Sequence, residues 1–466
     1  MSTETTGSPA GTADTWDRTN HPNPYLRGNY APVRDERTEV DLAVSGQLPA
    51  ALDGHLLRTG PNPAGPVGAN HHWFLGDGMV HGIEISGGRA RSYRNRFVRT
   101  PSVAAARPDL PAIGQAPPGA VNPGTGAVHV IEHAGRVLAL GEVGLPYELT
   151  RELDTVGPYT FGGKLLTSMT AHPKIDPVTG DLHFFAYDFG PVYLRYHRAN
   201  AAGELVQTEF IDVPRCTMMH DFNVTASRIV FMDLPVVFST ARLATGSMPF
   251  EWQPDAGARL GVMPIGGTNA DVRWFEIEPC YVFHPLNAYD DGDRVVLDVV
   301  RYPTMFDTST IGPEGNGSEL RRWTIDLAAG TVTEETLDDR PTEFPRVADA
   351  KVGRPYRFGY SAAREGATLE DGFDTEGLVK YDLAAGTTTF HSAGAGRNPG
   401  EGVFVADPDG TNEDDGWVLS VVYDAATDRS DVIVVDARDF GAPPVATIHL
   451  PTRVPFGFHG SWVPRG

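Results

Sequence analysis

The chain has 466 residues, 41% of them apolar, so it can bury a large core without disulfide or metal staples. Its 38 Lys and Arg against 60 Asp and Glu leave a net charge of −22, which argues against nucleic acid or an anionic membrane surface as a main partner. Fifty-two glycines and 38 prolines exclude long helices and suit short strands joined by turns, while two cysteines, Cys216 and Cys280, exclude a disulfide scaffold. Length alone leaves the domain count open. Residues 1–23 are rich in Ser, Thr, Gly and Asp with no apolar run, and read as a flexible tail, neither a signal peptide nor a membrane span. No later window approaches the ~18 consecutive apolar residues of a spanning helix, and the protein is expected in the cytoplasm. Residues 101–118 and 234–250 are mildly apolar without strand patterning. They read as surface loops, or else as a hydrophobic rim that touches lipid or admits an oily substrate.

Strand-length apolar runs recur at 182–189, 229–238, 295–301, 417–423 and 432–435. Between them lie hairpin signals, two of them nearly literal copies: Ile325-Asp326-Leu327-Ala328-Ala329-Gly330-Thr331 and Tyr381-Asp382-Leu383-Ala384-Ala385-Gly386-Thr387, 56 residues apart. Similar turns at Gly87, Gly135, Gly203, Gly266 and Gly441 bring the set to seven, at a mean spacing of 59. Propeller repeats run roughly 40–50 residues and lengthen with insertions, so this period predicts an all-β, seven-bladed propeller. A sandwich with evenly spaced hairpins is the competing reading.

A second series supports the first. His172, His220, His284 and His459 stand in apolar or aromatic contexts at strand ends, with separations of 48, 64 and 175. Glu343 and Glu401 divide the long gap into steps of 59, 58 and 58. One inward-pointing residue per blade near the axis would generate that series. Four neutral imidazoles on an axis suit a borderline divalent transition metal, with carboxylates behind them to fix the tautomers. These residues alone leave the ion ambiguous. His21, His71, His72, His197 and His391 fall in polar or loop surroundings and need no function.

The chain resembles the carotenoid cleavage oxygenase family from residue 23 to residue 464. The resemblance is carried by Asn23-Pro24-Tyr25-Leu26-Arg27-Gly28-Asn29-Tyr30, Leu57-Arg58-Thr59-Gly60-Pro61-Asn62-Pro63, Trp73-Phe74-Leu75-Gly76-Asp77-Gly78-Met79-Val80-His81, Thr170-Ala171-His172-Pro173-Lys174, Met219-His220-Asp221-Phe222 and Gly457-Phe458-His459-Gly460-Ser461-Trp462. It implies one propeller domain over 24–466, with an axial metal site under a cap of loops. It implies one Fe2+ per chain bound by His172, His220, His284 and His459, and three glutamates behind them: Glu142, Glu343 and Glu401. Glu142 is off the period and enters only through the resemblance. The implied reaction is cleavage of a conjugated C=C bond by O2 into two carbonyl fragments, in a tunnel holding an apolar substrate. Phe74 lines that tunnel by family position. Phe283 and Phe458 each precede a candidate ligand, although strand alternation would turn at least one of them into the core.

Two departures bear on substrate. Stilbene-cleaving relatives typically carry Lys where this chain has Gly141, and a phenol-binding Tyr in a loop that here, over 101–123, has none. Both absences favour a carotenoid or apocarotenoid, with a stilbene or phenylpropenoid as the alternative. A small residue at 141 is expected to widen the cavity, and Val128 stands where the family has a threonine near the iron. A non-cleaving isomerase or polyene-binding propeller is the reading from another class. The stretch from Asp407 to Gly416 has the look of a calcium loop, but Val418 stands where the twelfth-position Glu is required, so it reads as a solvated hairpin.

Overall fold

A computed structural model describes residues 21–68, 71–120, 122–244, 248–307, 317–364 and 375–465. The expected tail at 1–23 falls almost wholly outside them. Asn23 is already held: its side chain accepts from Tyr25 N at 2.9 Å and donates to His71 O at 2.7 Å.

Seven antiparallel sheets form the seven blades of a propeller. Five contain strands from one continuous stretch, and chain closure comes from exchange between the ends in the other two. The strand Gly460–Pro464 pairs with Gly54–Pro61 in the first sheet, and Val44–Gly46 pairs with Ala446–His449 in the last. Burial falls outward across each blade. Leu182–Tyr187 is buried at every position, as its unbroken apolar run requires of a strand covered on both faces. Thr331–Asp338, a fourth strand, is exposed at most positions and is built of Thr and Glu.

Six of the seven turn glycines fall between the third and fourth strands of successive blades. Gly135 does not: it joins the first two strands of the second blade, His129–His133 and Arg136–Leu140. The copied hairpins share one turn chemistry. Asp326 Oδ1 accepts from Ala328 N and Ala329 N, Asp382 Oδ1 accepts from Ala385 N, and Gly330 and Gly386 take the positive φ that closes each turn.

The two apolar loops have structure. Pro101–Ala106 is a short helix whose N-terminus is capped by Thr100, and Val236–Phe238 pairs with Phe250–Trp252 around a second short helix, Thr240–Ala244. Residues 245–247 of the second stretch lie outside the described ones. The 407–416 segment is a hairpin whose Asp415 Oδ2 accepts from Thr411 N and Asn412 N. Both cysteines are buried and unpaired. His72, His197 and His391 are buried, contrary to their loop-like sequence surroundings, because each packs under neighbouring rings or strands that the local sequence does not reveal. Among the described residues, no helix is long and apolar enough to cross a membrane.

Candidate metal centre

The first strand of each blade lies toward the axis, and first strands of neighbouring blades touch. Residues at their starts therefore form a ring. His172 precedes Lys174–Ile175, His220 precedes Asn223–Val224, His284 lies in Tyr281–Asp291, and His459 precedes Gly460–Pro464. Glu343 lies in Thr342–Arg346, and Glu401 precedes Val403–Ala406. The strand starts place all four imidazoles and two glutamates in phase. Glu142 follows the second strand of its blade, so it is off the period yet reaches the same centre.

The four Nε2 atoms converge in a chain of short separations: His172 to His220 at 3.0 Å, His220 to His284 at 3.2 Å, and His284 to His459 at 3.1 Å. Three of the rings give their Nδ1–H to a carboxylate: His220 to Glu142 Oε1 at 3.0 Å, His284 to Glu343 Oε2, and His459 to Glu401 Oε1 at 2.8 Å. These bonds fix the tautomer that leaves Nε2 bare. Lone pairs so close repel one another unless a cation lies among them. Imidazole nitrogens sit about 2.1 Å from a divalent transition ion, so two at right angles around it lie roughly 3.0 Å apart. The donor set therefore fits such an ion, and neutral nitrogen donors suit iron as well as its neighbours in the series.

Burial and the adjoining imidazoles hold His172 well below its usual range, and burial likewise lowers His459 despite Glu401, so both rings are neutral at neutral pH. The glutamates are themselves held. Tyr187 donates to Glu142 Oε1 and Tyr302 to Glu343 Oε1, each at 3.1 Å. Glu401 Oε2 accepts from Gly460 N at 2.8 Å and meets Arg346 Nη1 at 3.2 Å. Burial, the largest single influence, works against ionisation of Glu401, but the Arg346 guanidinium and the His459 and His129 rings together outweigh it and keep the carboxylate well below its usual range.

An apolar cavity of about 310 Å³ opens onto one side of the cluster, lined by Phe74, Val128, His220, Phe283, His284 and Phe458 among others. Both Phe283 and His284 reach it because the ladder between Tyr281–Asp291 and its partner shifts register at Val282/Pro285, which breaks the alternation that would have sent one of them away. Phe74 packs edge-on against Phe283 and Phe458, at 5.9 and 5.6 Å between centroids. Val128 O accepts from His459 N, which sets that side chain against the cluster. Met248, Pro249 and Phe250 from the 234–250 segment also line the cavity. Gly141 does not. A Cβ there would meet Thr125 Oγ1 at 2.8 Å, so Thr125 fills the room that the missing side chain was expected to add to the cavity.

On the other side lies a cavity of about 450 Å³ with a polar wall, bordered by His129, His172, Lys174, Asp221, Arg346 and His459. His129 is a residue that sequence spacing missed. It starts the first strand of the second blade and so completes the ring, but only 43 residues separate it from His172 because that blade is short. Its Nδ1 donates to Ala171 O at 2.8 Å, and its ring lies 5.3 Å from that of His459.

Comparison with known proteins identifies the family and the fold. Residues 30–464 match the family model described as retinal pigment epithelial membrane protein, RPE65. A carotenoid cleavage oxygenase of Mycobacterium tuberculosis is 42% identical, covering 95% of this chain and 98% of its own. The carotenoid 9,10(9',10')-cleavage dioxygenase 1 of Arabidopsis thaliana is 32% identical, over 94% and 89% of the two chains. Among solved structures, a lignostilbene dioxygenase of Pseudomonas brassicacearum superposes with a TM-score of 0.87 at 31% identity, over 95% and 99%. A cobalt-substituted apocarotenoid oxygenase of Synechocystis gives 0.84 at 28%, over 95% and 98%.

Proposed function

The chain belongs to the RPE65/carotenoid cleavage oxygenase family, and from that premise we propose that it is an iron(II) dioxygenase cleaving a conjugated C=C bond of a carotenoid or apocarotenoid into two carbonyl products. The observation that carries the reading is the meeting of four bare Nε2 atoms with the end of an aromatic-walled cavity. His172, His220, His284 and His459 hold one Fe2+, and Glu142, Glu343 and Glu401 fix three of the rings. Ferrous iron bound there supplies the activation of O2 that no protein side chain can provide. Phe74, Phe283, Phe458 and Val128 hold the flat polyene beside the cluster and exclude water, so orientation is the protein's main contribution. No general acid or base is required, since both oxygen atoms end in the two carbonyls.

The stilbene or phenylpropenoid alternative has one observation in its favour, the likeness to a lignostilbene dioxygenase. Against it stand Gly141 and the Tyr-free 101–123 stretch. The two free, buried thiols suit the reducing cytoplasm expected for the chain. The direct test replaces a proposed ligand. Loaded anaerobically with Fe2+, the wild type should retain one iron per chain and consume O2 with an apocarotenal. His284→Ala should lose cleavage to background. Undiminished turnover by that variant would sink the assignment.

A further inference from the structure

Three imidazoles of the cluster have a glutamate behind them; His172 has none. Its Nε2 faces that of His220 at 3.0 Å, so it too must carry its proton on Nδ1 to act as a ligand. The carboxylate that approaches this Nδ1 is Asp221, with Oδ2 at 3.7 Å, and both side chains are buried, 4% and 3% exposed. That distance is too long for a hydrogen bond but is closed by a movement of about 0.8 Å. Asp221 is not free to settle on the ring. Lys174 Nζ holds it at 2.8 Å from Oδ1 and 3.0 Å from Oδ2, and Oδ1 also accepts from Phe222 N at 2.6 Å. All three side chains, His172, Lys174 and Asp221, border the polar cavity on the far side of the cluster from the apolar one. The shell is thus asymmetric: three rings are gripped directly and the fourth is approached by a carboxylate that a half-buried ammonium restrains.

We propose that Asp221 is the fourth carboxylate of the metal shell, a positioning residue that orients His172 from the polar cavity, with Lys174 setting how strongly it does so. The inference rests on the reading that the four histidines hold the ion. It follows that the two partners act in opposite directions. Removing the charge of Asp221 loosens His172, and removing the charge of Lys174 frees Asp221 to grip it more tightly. A structural ion pair would behave otherwise, because losing either member would weaken the site alike.

The test is titration of Co2+ into the metal-free full-length chain, read by its visible absorption bands, for the wild type, Asp221→Asn and Lys174→Gln, with each variant's melting temperature recorded without metal. Asp221→Asn should bind Co2+ about tenfold more weakly, in the range usual for such partners, while Lys174→Gln binds as tightly as wild type or tighter. Wild-type affinity in Asp221→Asn, or parallel losses in both variants, would overturn the proposal. If Asp221→Asn does not fold, Lys174→Gln decides alone: a loss of affinity overturns the proposal and retained affinity supports it. A wild-type chain that takes up no Co2+ would instead bring down the metal assignment itself.

Discussion

At position 141 the absence of a side chain does not enlarge the substrate space, because the Thr125 hydroxyl already stands where a Cβ would go. Gly141 and Thr125 are therefore one packing unit. Gly141→Ala should destabilise the protein by about 1–3 kcal/mol through overpacking, and Thr125→Ala in the same chain should recover much of that. Urea unfolding of the two single variants and the double variant measures the coupling, predicted to be at least ~0.5 kcal/mol. Strictly additive costs would show that the two do not share the space. Sequence could locate Gly141 as a departure from the family but could not show its neighbour, since Thr125 lies on a separate loop. The buried histidines teach the same lesson. His197 packs flat on Phe184 across the sheet, a contact that its polar local sequence, Arg-Tyr-His-Arg, conceals.

Strand starts, one per blade, are the elements that made the site readable. His172, His220, His284, Glu343, Glu401 and His459 repeat because they occupy equivalent places on six successive first strands. Two members escaped that pattern for reasons of geometry. Glu142 hangs from the end of a second strand, and His129 opens a blade shorter than the period. Gly135 joined the turn series by a coincidence of spacing, since its turn closes a different hairpin from the other six. The register shift at Val282/Pro285 was invisible to an alternation argument, and it is what brings Phe283 and His284 to one cavity. Phe283→Ala should therefore keep its iron but lose kcat/KM for the polyene, because it removes a cavity wall and leaves the Nδ1–H of His284 on Glu343. Iron content measured beside turnover checks this. Iron lost in step with activity would mean that Phe283 serves the ligand strand instead.

Across the whole molecule, the turn-rich composition is accounted for by seven blades, and chain closure ties residues 44–61 to residues 446–464. Burial also gives the propeller a common response to acid. It lowers His72, His81 and His197 to about 3 and His183 to about 4. In the unfolded chain these groups titrate near their ordinary value of about 6.5, so below that pH the unfolded state binds more protons than the folded one. Each histidine then removes up to about 1.4 kcal/mol of stability per pH unit until its folded value is reached. Metal-free protein should accordingly lose melting temperature steadily from pH 6.5 to pH 4, and a flat profile over that window would contradict the burial. The same interior that excludes these protons builds the apolar cavity beside the four imidazoles, where the proposed function places a polyene. The claim that this meeting is oxidative cleavage is tested most directly by the product masses formed when iron-loaded protein turns over an apocarotenal in isotopically labelled O2. Two aldehyde fragments, with label in the newly formed carbonyl groups, are predicted; an intact or merely isomerised polyene would contradict it.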